Sequence, residues 1–139
     1  MDGQYVGRVI YPHLKEMLDD ARSEGVYMFI RSGYRSYASQ ESVLNSFINK
    51  YRNRGYSYEE ARRLALQTAS LPGCSEHQSG LAVDMNATGG TSSYTAYAWL
   101  AKNAYKYGFI LRYPSGKESI TGIEYEPWHY RFVFRQCDY

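Results

Sequence analysis

The chain contains three histidines, and two of them stand in company that can do chemistry. His77 lies in the run Ser75-Glu76-His77-Gln78-Ser79-Gly80-Leu81-Ala82-Val83-Asp84. A loop carries the histidine, a strand carries the aspartate, and Gly80 lets the backbone turn sharply between them. Asp84 falls between Val83 and Met85, where a carboxylate is costly unless it is paired or binds a metal. His129 closes the run Glu124-Tyr125-Glu126-Pro127-Trp128-His129, with Glu126 at a strand entry. Pro127 stiffens the backbone there, and Trp128 can wall off water. Two histidines and one carboxylate supply three ligands of a zinc ion and leave a fourth position for water. A carboxylate beside that water, but off the metal, serves as base and then as acid. Glu126 is the candidate. Plainer readings remain open at this point. Asp84 could pair with an arginine or with backbone, His77 could be incidental, and Glu124 and Glu126 could be solvated loop acids. His13 follows Pro12 at the start of a helical pattern and reads as a helix-terminus or surface histidine.

These residues need a scaffold, and the hydrophobic pattern supplies one. Tyr11 to Glu24 reads as an amphipathic helix through Leu14, Met17, Leu18 and Ala21, ended by Gly25. Val26 to Ile30 is a short apolar run, read as a buried strand, followed by a turn over residues 32–36. Ser39 to Arg54 repeats helical spacing through Val43, Leu44, Phe47, Ile48 and Tyr51. Ser57-Tyr58-Glu59-Glu60 is a capping box that opens a second helix reaching about Ser70, broken by Pro72-Gly73. Leu81 to Met85, Phe109 to Arg112 and Trp128 to Phe134 read as strands, and Thr91 to Tyr107 as a helix. Without regular βαβ repetition, the pattern predicts an α+β fold with a mostly antiparallel sheet and helices around it.

Length and composition bound the alternatives. The 139 residues fit one domain, 1–139, with enough chain to bury a sizeable core. Charge is mixed, 16 Lys+Arg against 14 Asp+Glu, so no polybasic stripe argues for nucleic acid or an anionic membrane surface. The 16 tyrosines suit a groove lined for peptide or carbohydrate, or equally a half-exposed sheet. No apolar run approaches a membrane span, and the N-terminus lacks a charged region followed by an apolar one. The expectation is either a cytosolic protein or a domain whose anchor lies upstream. Cys74 and Cys137 could pair if the protein is exported, or stay as thiols.

The motifs together carry a resemblance. Ser75, His77, Gly80, Ala82 and Asp84, followed by Glu126, Trp128 and His129, resemble the signature of zinc D-alanyl-D-alanine carboxypeptidases and dipeptidases. That group includes the VanY type of vancomycin resistance and the L,D-carboxypeptidases that trim peptidoglycan stems. An upstream block, Ser32-Gly33-Tyr34-Arg35-Ser36 with Gln40 following, also resembles the family's Tyr-Arg-Ser segment. The resemblance implies a hedgehog/D,D-peptidase-like fold with a zinc site at one edge of the sheet. It implies that His77, Asp84 and His129 bind Zn2+ and that Glu126 is the general base and acid. It further implies that Arg35, with Gln40 and Ser75, holds the substrate's terminal carboxylate or stabilises the oxyanion, with Trp128 in the substrate wall. The implied reaction is removal of D-alanine from peptidoglycan stems ending in D-Ala-D-Ala. Alternatives are L,D-carboxypeptidase action on the tetrapeptide, hydrolysis of free D-Ala-D-Ala, or a zinc-containing wall-binding module. A stem-trimming enzyme is expected outside the membrane, anchored from outside these residues; a dipeptidase is expected in the cytoplasm. A monomer is the default expectation.

Overall fold

Pro12 opens the first helix, where its missing N–H costs no hydrogen bond. This helix, α1 (Tyr11–Ser23), buries Leu14, Met17 and Ala21 along one stripe. The structure, a computed structural model, describes residues 1–134. After α1 come β1 (Met28–Ser32), α2 (Tyr37–Asn53) and α3 (Tyr58–Ala65). A 3₁₀ turn (Glu76–Ser79) leads into β2 (Ala82–Ala87), and α4 (Ser93–Asn103) continues as a second 3₁₀ turn (Ala104–Tyr107). β3 (Phe109–Leu111), α5 (Glu118–Thr121) and β4 (His129–Phe132) complete the order.

The strands form one antiparallel sheet in the order β1-β2-β4-β3. Period-two alternation divides its faces. Met28, Ile30, Val83, Met85, Tyr130 and Phe132 point to one face and form the main core with α1 and α4. Asp84 and His129 point to the other, and they are direct partners across β2 and β4. The sequence reading put the site at one edge of the sheet; this pair instead spans the two central strands. Placement there shields both residues from the sides as well as from below.

On the second face α2 brings Gln40, Val43 and Phe47 to the wall, and α3 packs against α2. These helices share a small core of their own, Leu44, Ile48, Ala61, Ala65 and Ala69. Ser36 caps α2 by accepting from the Ser39 N–H, so the helix begins two residues before the spacing predicts. Ser57 caps α3 as its capping box predicts, but α3 stops at Ala65, and residues 66–69 continue only as turns. The first strand lies two residues later than predicted, Met28–Ser32, because Tyr27 N–H turns to the Thr91 hydroxyl instead of the ladder. Among the described residues, no helix is long and apolar enough to cross a membrane. Cys74 is exposed; its proposed partner Cys137 lies outside the described residues.

Candidate metal centre

Three segments deliver the site. His77 comes from the 3₁₀ turn, Asp84 from β2 and His129 from the first position of β4. All three are buried, at 3%, 9% and 3% exposure. One ligand atom from each lies within 4.8 Å of the others. Asp84 Oδ1 is 3.3 Å from His77 Nε2 and 3.0 Å from His129 Nδ1. A tetrahedral zinc with ligands at about 2.0–2.1 Å has ligand-to-ligand edges of about 3.3–3.4 Å. The cluster is therefore already close to the size of a zinc coordination shell.

Proton bookkeeping on the rings agrees. His77 Nδ1 lies 2.7 Å from the Gly33 carbonyl oxygen, which can only accept. Nδ1 therefore carries a proton, and Nε2, which faces Asp84, is the atom a metal would take. His129 Nε2 lies 3.1 Å from Glu76 Oε2, which leaves Nδ1 facing Asp84. Two imidazole nitrogens and a carboxylate oxygen thus converge, each ring held from behind. The donor set and its spacing fit zinc.

Close backbone approach makes this possible at two glycines. A Cβ on Gly33 would overlap the Tyr5 carbonyl oxygen, so only glycine lets the 33 carbonyl reach His77. Gly80 has φ +73°, and its carbonyl accepts from Gly7 N–H at 2.8 Å, which pins the turn between His77 and β2.

Glu126 stands off the triad, its Oε2 3.8 Å from His129 Nδ1 and its side chain 12% exposed. Arg35 donates from Nη2 to Asp84 Oδ2 at 3.3 Å, from Nη1 to Gln40 Oε1 at 2.8 Å and from Nε to Ser32 Oγ at 3.0 Å. A guanidinium has five N–H donors, so two remain for another group. Gln40 is buried, and its Nε2 donates to the Ser70 carbonyl at 2.9 Å, which makes it a strut behind Arg35. Ser75 caps the 3₁₀ turn, its hydroxyl accepting from the His77 N–H at 3.3 Å. His77, Asp84, His129, Glu126, Arg35, Gln40 and Ser75 face one cavity of about 640 Å³, which Val43, Phe47, Tyr97 and Trp128 also line. Tyr97 and Trp128 rings stand 6.4 Å apart as an aromatic wall. Each residue that the resemblance assigns to the site therefore lines the same space.

Sequence reasoning gave Glu76 no role. Its carboxylate accepts from Arg112 Nε at 2.7 Å as well as meeting His129. The one signal was an acid next to a candidate ligand; its partners lie 36 and 53 residues away in the chain.

Electrostatics separate the acids. Burial opposes ionisation of Asp84, but hydrogen bonds from His129 and His77 outweigh it and hold the carboxyl well below its ordinary value. His129 shows the counterpart: burial pulls it down, yet bonds to Asp84 and Glu76 raise it to about 9. Glu126 moves the other way. Burial, reinforced by the Asp84 charge and resisted by His129, lifts it from 4.5 to about 7. Two carboxyls with displaced pKa values side by side mark an acid/base site.

The Glu126 shift has a consequence for the metal-free protein. A carboxyl raised in the fold favours the folded state while protonated, and that advantage is lost as pH climbs from 4.5 to about 7. At about 1.4 kcal/mol per pKa unit, the ionised side chain costs the fold on the order of 3 kcal/mol above pH 7. Glu126→Gln removes this titration. Chelator-treated E126Q should melt higher than the parent at pH 8, with the gap closing toward pH 5. Melting curves with the same offset at both pH values would contradict the buried, raised carboxyl.

With the site's geometry in hand, its kinship can be read. A family model described as VanY, D-alanyl-D-alanine carboxypeptidase, matches residues 3–135. The chain belongs to that family. A D-alanyl-D-alanine carboxypeptidase of Enterococcus faecalis is 42% identical over 133 residues, covering 95% of this chain and 50% of that protein. Among solved structures, a glutamate-to-alanine mutant of the vancomycin-resistance D,D-pentapeptidase VanY from a VanB-type cassette, in complex with Zn(II), superposes with a TM-score of 0.93. It is 42% identical and covers 96% of this chain and 75% of its own. The LD-carboxypeptidase LdcB superposes with a TM-score of 0.79 at 36% identity, covering 98% of this chain and 63% of its own. This VanY-family chain spans about half the length of the curated relatives it matches.

Proposed function

We propose that residues 1–139 form the catalytic domain of a zinc-dependent D,D-carboxypeptidase. It releases the C-terminal D-alanine from peptidoglycan stem peptides ending in D-Ala-D-Ala. The observation that carries this reading is Glu126, buried with a raised pKa beside a zinc-sized His77/Asp84/His129 cluster in one peptide-sized cavity. Relatives named for the same activity support it.

In this reading His77 Nε2, an Asp84 oxygen and His129 Nδ1 hold the zinc. Bound there, zinc supplies a Lewis acid that polarises the scissile carbonyl and makes a water more acidic. Glu126 Oε2 takes the proton of the attacking water and then gives it to the leaving amine. One carboxyl beside the cluster can do both within one turnover, since the proton it takes from water is the proton it gives to the amine. The two uncommitted Arg35 N–H groups, with the Ser75 hydroxyl, hold the terminal carboxylate or steady the oxyanion. Gln40 keeps Arg35 in place. Trp128 and Tyr97 pack against the stem and exclude water. A stem-peptide substrate puts the work in the cell envelope, with the chain acting as a monomer, and an anchor outside these residues would hold it there.

A second reading, L,D-carboxypeptidase action on the tetrapeptide stem, draws on the likeness to LdcB. One assay separates them: D-alanine release by the zinc-loaded protein from a peptide ending in D-Ala-D-Ala and from one ending in a diamino acid followed by D-Ala, each with and without chelator. We expect chelator-sensitive release from the first peptide. Release from the second alone would establish the L,D-activity instead. Release from neither would overturn both readings.

A further inference from the structure

We propose that Glu76 is the positioning residue that sets which nitrogen of His129 is offered to the metal. The inference rests on the reading that His77, Asp84 and His129 hold zinc.

A histidine on a metal can bind through either ring nitrogen, and the partner of the other one decides. His77 gets its instruction from a backbone carbonyl, Gly33, which sequence changes elsewhere do not easily remove. His129 has no such carbonyl on its far nitrogen; it has the Glu76 carboxylate at 3.1 Å. Glu76 is itself fixed from two sides. Arg112 Nε donates to its Oε1 at 2.7 Å, and Arg131 Nη1 stands 3.7 Å from the same oxygen. Its side chain is 13% exposed, so water competes poorly for these bonds. The two oxygens are thus divided: Oε1 is turned to the arginines and Oε2 is left for His129. An acceptor held this way keeps the proton on Nε2 and turns the Nδ1 lone pair toward Asp84 and the metal. A carboxylate behind the ring also raises the ligand's basicity, a stronger effect than a neutral carbonyl gives. Glu76 never faces the reacting atoms. Its neighbour in the chain, His77, is a ligand, so the 3₁₀ turn (Glu76–Ser79) carries one ligand and the brace of another.

The test compares zinc binding and ring protonation in the parent, E76A, E76Q and R112A. Zinc affinity is read by competition with a chromogenic chelator. The His129 Nε2–H is read as a downfield, slowly exchanging proton in the zinc-loaded protein by 1H–15N NMR. E76A should weaken zinc about 10–100-fold and abolish the protected Nε2–H signal. E76Q, which keeps an acceptor oxygen, should bind within about fivefold of the parent and retain the signal. R112A, which leaves Glu76 but loosens it, should fall between. A purely structural role would lower the melting temperature without moving zinc affinity or the Nε2–H signal, and that outcome overturns the proposal. If E76A fails to fold, R112A decides: unchanged affinity with an unchanged signal overturns it. Failure of the parent to bind zinc would refute the metal-site reading itself, separately from the role of Glu76.

Discussion

Glu126→Gln should leave zinc bound and lower D-alanine release by at least two orders of magnitude. The side chain is nearly isosteric, so the cavity and the triad should persist. Glu126 is no closer than 3.8 Å to His129 Nδ1 and belongs to no coordinating set in the cluster, so its loss leaves three ligands in place. An amide cannot take a proton from water at neutral pH, and general acid–base catalysis contributes about 10²–10⁴-fold. Because the proposed mechanism asks the same carboxyl for two proton transfers, the loss should sit toward the upper end. The fall should appear in kcat with little change in KM, since the role proposed for Glu126 is toward the attacking water and the leaving amine, not toward the bound peptide. A zinc-loaded E126Q that turns over within tenfold of the parent would remove Glu126 from the reaction.

The match between sequence and structure follows the range of the forces involved. Element types were legible because periodicity and capping are local. Ser57 starts α3 where its capping box says, and Leu14, Met17 and Ala21 are buried as the spacing of α1 requires. Boundaries were less so, because distant partners set them. Tyr27 leaves the first strand for Thr91, 64 residues on. The triad could be read because its motifs are short and its residue types are chemically distinctive. What supports it could not. The Gly33 carbonyl has no side chain to announce it, and Glu76 looks like any surface acid until Arg112 and His129 arrive from other elements. Arg35 shows both sides. Its type suggested a carboxylate fork, but only the fold shows that three of its donors are already engaged on Asp84, Gln40 and Ser32.

The second large effect falls on the ligands. His77→Ala should weaken zinc by about two orders of magnitude and abolish activity at ordinary zinc levels. Structural zinc held by four protein ligands is worth roughly 10–16 kcal/mol, about 3 kcal/mol for each, so loss of one of the three ligands here should cost a factor of more than a hundred in Kd. The loss reaches further than one bond. His77 Nε2 stands 3.3 Å from Asp84 Oδ1, and removing His77 takes away one of the two rings that favour the ionised Asp84 while the site stays buried. In the metal-free state the remaining cluster is His129 between Asp84 and Glu76. Activity should return only in part with excess zinc, because the vacated position would admit a further water and spoil the geometry that places Glu126. Equilibrium dialysis against zinc, read alongside D-alanine release, tests this. The contrast with E126Q is the decisive pairing: one variant keeps the metal and loses the chemistry, the other loses both. If His77→Ala retained parental zinc affinity, the triad would not be the metal site, and the case for a metallopeptidase here would fall with it.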